Sequence, residues 1–69
     1  MYNVIEKFLE NPCEKTFSRI RNNTYLLLKL FREDEDLAKE FFGQDEWSLI
    51  ETADLDKREQ EIVKKALNK

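Results

Sequence analysis

Histidine is absent from the 69-residue chain, and cysteine, proline, glycine and tryptophan each occur once. Without histidine the usual general base at neutral pH is missing, and neither a Cys–His nor a Ser–His nucleophile pair can be assembled. One thiol excludes a disulfide within the chain, and a lone Cys13 without histidine is a poor basis for a transition-metal site. A single Gly43 rules out a glycine-rich phosphate loop or a dinucleotide fingerprint. One glycine and one proline also leave little loop punctuation, which favours helices with short connections. No stretch approaches the roughly 18 apolar residues of a membrane span. Asn3 and Glu6 stand where a secretory signal needs a basic start and an unbroken apolar core, so a cytoplasmic location is expected, and a lone Cys13 fits a reducing compartment. Neither a cofactor nor an enzymatic activity is expected. Carboxylate pairs such as Asp34 and Asp36 lie in a hydrophilic run where nothing raises a pKa.

What the chain does contain is apolar and charged in similar measure. Hydrophobic residues make up 41% and aromatics 12%, too much for a disordered polymer despite 39% charged residues. A chain this short makes one domain, residues 1–69, and is marginal unless its helices pack well or it oligomerises. The densest apolar run is Thr24 to Phe31. It is rich in leucine and holds no valine or isoleucine, which predicts a helix rather than a buried strand. Phe17, Ile20, Thr24, Leu27, Leu28 and Phe31 recur at steps of three and four and share a face if the helix is continuous. Leu26 and Leu30 then point roughly the other way. The favoured reading covers both faces with the chain's other helices. The alternative makes Leu26 and Leu30, with Tyr25, part of an interface with a second copy or another protein.

Around this run the chain divides into an all-α bundle of three main helices plus one or two short ones. A first helix is predicted from Val4 to about Glu10, capped by Asn3 with Glu6 three residues on. Asn11-Pro12 predicts a stop and a new start, with Asn11 as N-cap, Pro12 at the first helical position and Glu14 at the third. This second helix is expected to run to Arg32 through Asn22-Asn23, two poor helix formers that mark the alternative of a break. Cys13, on its Phe17 face, is expected to be a buried small hydrophobe. Glu33 to Asp36 predicts a turn, because four acids are unfavourable at a helix C-terminus and favourable in the next first turn. A third helix follows from about Glu35 to Phe42, with Gly43 as a left-handed C-cap. Asp45 is expected to cap a short piece carrying Trp47, Leu49 and Ile50. Asp54 or Asp56 then caps a last helix, with Asp56 and Glu59 spaced as a capping box. Ile62, Val63, Ala66 and Leu67 form its inner face.

Charge is uneven along the chain. Residues 12–32 carry a balance of +4, residues 33–61 carry −9, and the whole chain carries −3. Mutual neutralisation between helices is the simpler reading, and a docking surface is the functional one. Trp47 has the same two readings, core anchor or partner hot spot. The expectation is therefore a small non-enzymatic regulator or inhibitor that binds another protein. Its candidate contacts are Tyr25, Leu26, Leu30, Asp34, Glu35, Asp36, Asp45, Glu46 and Trp47, with the acids near positions 33–46 guiding encounter. Two alternatives remain open. One is a DNA-binding regulator using the C-terminal helices with Lys64 and Lys65, probed by salt dependence. The other is an acidic mimic of nucleic acid that occupies a nuclease or polymerase groove. A homodimer is compatible with the first two readings.

Overall fold

The computed structural model describes residues 4–68, and over these the chain is all-α. Six α-helices follow in order: α1 (Val4–Glu10), α2 (Glu14–Phe17), α3 (Thr24–Glu33), α4 (Glu35–Phe41), α5 (Gln44–Leu49) and α6 (Lys57–Leu67), with a 3-10 turn at Thr52–Asp54 before the last. The cap proposed at Asn3 lies outside the described residues. Helix α3 is the centre. It packs against α4, α1 and α5, while α6 closes over α5 and the 3-10 turn.

The second predicted helix is not continuous. It shrinks to the single turn α2, residues 18–22 form tight turns, and α3 starts afresh at Thr24. Local hydrogen bonding explains the break. Ile20 N donates to the Phe17 carbonyl (2.8 Å), and Asn23 N to the Ile20 carbonyl (3.0 Å). The Asn23 side chain then accepts from Leu26 N (3.1 Å), so this asparagine serves as a cap instead of sitting inside a helix. The start of α2 also differs from expectation. Its N-cap is Cys13, in extended backbone, and not Asn11. The Thr16 hydroxyl donates to the Asn11 carbonyl (2.9 Å) and lies 3.0 Å from the Cys13 carbonyl, which ties the Asn11-Pro12 corner to α2. Cys13 is half-buried rather than a core residue, and the Thr16 hydroxyl beside its sulfur lowers the thiol pKa.

Because the break uncouples α3 from Phe17 and Ile20, the helical phase of α3 is set independently. Leu26, Leu27, Leu30 and Phe31 form its buried face, with Leu28 half-buried at one edge and Tyr25 outside. One face is buried, not two.

Acidic side chains cap the later helices. Asp34 ends α3 and starts α4, its carboxylate accepting from Leu37 N (3.2 Å). Asp56 caps α6, accepting from Glu59 N (2.8 Å) while its own N–H donates to Glu59 Oε1 (3.2 Å). Between them Gly43 departs from expectation. It is not a left-handed C-cap, since its φ is −94°, but the N-cap of α5. Its N–H donates to Glu46 Oε1 (2.7 Å), and Asp45 lies inside the first turn instead of capping it. A Cβ added at Gly43 would lie 3.1 Å from that carboxylate oxygen, so the end of the Glu46 side chain would have to give by a few tenths of an ångström.

The core has an aromatic spine. Phe17 lies 5.7 Å from Phe8, 5.6 Å from Phe41 and 5.8 Å from Phe42, centroid to centroid. Phe42 continues the chain of rings to Trp47 at 4.9 Å, and Trp47 meets Phe31 edge-on at 5.6 Å. Edge and tilted contacts of this kind add to the area each ring buries. No polar or charged residue as a whole is buried among those described, although Arg21 Nε, over the Phe17 ring, is enclosed without a hydrogen-bond partner.

Candidate functional site

Three of the predicted contact residues belong to the core. Leu26 is 7% exposed, Leu30 0% and Trp47 5%. The interface role proposed for Leu26 and Leu30 is set aside because α3 buries them within its own chain, and Trp47 is a core anchor. Tyr25 is 68% exposed at the start of α3.

The acids separate by what they touch. Asp34 is committed to the α4 cap, and Glu46 to the Gly43 N–H. Glu35 holds two cations, Lys39 at 2.9 Å and Arg58 at 3.0 Å, which pins α4 to the start of α6. Lys39 and Arg58 hold its carboxyl below the usual carboxylate range, the lysine hydrogen bond contributing most. Nearby, Arg32 donates to Glu59 (3.2 Å) and to the Asp54 carbonyl (2.8 Å), joining α3 to α6. Asp36, Glu40 and Asp45 are exposed and form no ion pair with a described residue.

Glu35 supplies a pH test. Its pKa is depressed by folding, so its contribution is present above the unfolded value and lost as pH falls through the folded one. Thermal unfolding of wild type and Glu35→Gln should therefore differ at pH 7 and converge as pH drops below the ordinary glutamate range. A difference that persists there would mean the carboxylate charge is not what matters.

A groove lies where α4 and α5 meet α6. Phe42, Trp47, Ile62 and Ala66 give it apolar walls, and Lys39 and Lys65 stand at its sides. Its volume is about 450 Å³, within the range typical of ligand sites. Gln44 Nε2 donates to the Leu67 carbonyl (3.4 Å) and bridges α5 to the end of α6. Asp36 and Glu40 lie one turn apart on α4. Asp45 follows in the first turn of α5. The charged residues that line the groove are Lys39 from α4 and Lys65 from α6, whereas Asp36 and Glu40 on α4 and Asp45 on α5 belong to the same helices without lining it.

Of the residues expected at a partner surface Trp47 lines the groove, whereas Phe42, Ile62 and Ala66 were not expected as its walls. Their only local signal was apolar spacing, which marks a core face equally well. Among the described residues no group of three or more acidic or thiol side chains is placed to hold a metal ion, and no helix is long and apolar enough to cross a membrane. No family model, curated protein or solved structure matches the chain.

Proposed function

We propose that the protein is a small non-enzymatic regulator or inhibitor that acts by binding another protein. The groove and its acidic flank form the docking surface. The observation that carries this reading is the apolar cleft walled by Phe42, Trp47, Ile62 and Ala66. The exposed carboxylates Asp36, Glu40 and Asp45, on the α4 and α5 helices that help to form it, supply the acidic part of the docking surface in this reading. An apolar cleft rimmed by charge is how interfaces combine an anchor pocket with long-range guidance. The occupant is a partner segment that inserts one large apolar side chain and presents basic residues towards α4 and α5. Lys39 does not oppose it strongly, because Glu35 already holds that ammonium. The mechanism is occupation of a partner surface, without chemistry on either chain.

Reversing the flank (Asp36→Lys, Glu40→Lys, Asp45→Lys) should slow association with the partner by about tenfold at low salt, flatten its salt dependence and leave dissociation nearly unchanged. Stopped-flow or surface-based kinetics reads both rates. An unchanged association rate would remove the acids from the docking surface. A partner recovered only as nucleic acid, lost on nuclease treatment and on Lys64→Gln with Lys65→Gln, would instead support the DNA-binding alternative.

A further inference from the structure

A second, smaller cleft lies on another part of the surface, between α1 and α2. Its volume is about 140 Å³, and Val4, Lys7, Lys15, Thr16 and Arg19 line it. Three of these five residues are cations, and none of the five is acidic. The gathering is notable in a chain whose formal charge is −3.

We propose that this cleft is an oxyanion site that takes the terminal phosphate group of a small ligand. First, the three cations are uncommitted: Lys7, Lys15 and Arg19 form no ion pair with a described residue. Second, the acid next to Lys15 in sequence is drawn elsewhere, and neither Glu6 nor Glu10, beside Lys7 on α1, lines the cleft. Glu14 pairs with Arg21 at 2.9 Å, and Arg21 is itself held over the Phe17 ring at 5.1 Å. Third, the two helices approach the cleft with like charges that repel until an anion sits between them. Helix α1 brings Lys7 in its last turn, α2 brings Lys15, and the turn after α2 brings Arg19.

The chemistry of the walls narrows the ligand. Arg19 offers a planar fork suited to two oxygens of one phosphate, whereas the lysines act as movable point charges. The Thr16 hydroxyl is already spent on the Asn11 and Cys13 carbonyls and adds no donor. Recognition therefore rests on charge and on the arginine fork. Val4 adds an apolar side chain to the lining. The small volume fits one tetrahedral group better than an extended strand.

The test is a titration of the ¹⁵N-labelled full chain with inorganic phosphate and with pyrophosphate, at ionic strength held constant with chloride. Saturable shifts centred on Lys7, Lys15, Thr16 and Arg19 are expected. Arg19→Gln combined with Lys15→Gln should weaken binding by roughly tenfold or more, while Lys64→Gln with Lys65→Gln should leave it unchanged. Lys15 and Arg19 are both exposed, so the same spectra will show the variant folded. Shifts spread over all basic residues, without saturation, would reduce the effect to ionic screening and overturn the proposal. Binding of single-stranded DNA without binding of either phosphate would overturn it too, because the patch would then be a polyanion surface and not a phosphate site.

Discussion

Leu30→Ser will leave the protein largely unfolded at 25 °C, and Leu26→Ser will destabilise it strongly, with neither acting through a lost interface. Leu30 is fully buried, and Leu26 lies beside it on the buried face of α3. Truncating a buried leucine costs about 2–5 kcal/mol, and serine adds a hydroxyl with no partner in an apolar core. A domain of this size has a total stability of about 3–10 kcal/mol at the usual 0.05–0.15 kcal/mol per residue. The loss is thus comparable with everything that holds the fold. Circular dichroism should show the helical signal lost for Leu30→Ser and a midpoint lowered by about 10 °C or more for Leu26→Ser. If instead both variants stay folded and only the oligomeric state changes by light scattering, the two leucines are interface and the core assignment fails.

Phe17→Ala is expected to be as damaging, by about 3–5 kcal/mol. Phe17 is fully buried in a helix of only four residues, and α2 has no length with which to hold itself. The ring is what anchors it: Phe8, Phe41 and Phe42 all pack on Phe17 within 5.8 Å, and Arg21 covers one face. Removing it takes away a shared centre of α1, α2 and α4 together. Phe17→Leu should recover much of the loss by refilling the volume, whereas Tyr25→Ala, at an exposed position, should stay within about 0.5 kcal/mol of wild type. Urea unfolding of the three variants ranks them. Equal effects for Phe17→Ala and Tyr25→Ala would contradict the aromatic spine.

These particulars show where the sequence spoke clearly. The all-α class followed from leucine-rich periodicity and the scarcity of glycine and proline. The Asp56–Glu59 capping box and the start of α4 near Glu35 were legible because capping chemistry is local: one side chain meets a backbone N–H three residues on. The break at Asn22-Asn23 was harder. Its residues were flagged, but periodicity carried across them, and only the Asn23 cap and the turns after Phe17 decide the matter. Once the break is in place the phase of α3 is its own, so Leu26 and Leu30 are covered by the chain's other helices, as the favoured reading had it, but on one buried face with Leu27 and Phe31 instead of a second face. Gly43 misled for a related reason. A glycine after a helix reads as a left-handed C-cap, yet here it starts the next helix, its N–H donating to the Glu46 carboxylate. The groove was not legible at all. Its walls come from Phe42 and Trp47 on one side and Ile62 and Ala66 on the other, and nothing local reports how α6 settles against α5.

The central claim is that partner binding runs through the groove and its acidic flank. Affinity capture from lysate of the protein's own host tests it most directly, with nuclease added throughout and quantitative mass spectrometry as the readout. Four baits are compared: wild type, Ala66→Arg to fill the groove, the Asp36, Glu40 and Asp45 reversal, and Tyr25→Ser as an exposed control. Circular dichroism confirms that each bait is folded. A protein held by wild type and Tyr25→Ser should fall in recovery by about tenfold or more with the other two baits, the loss expected when an anchor or its guidance is removed. A partner held equally by all four baits, or lost only with Tyr25→Ser, would place the docking surface elsewhere and contradict the claim.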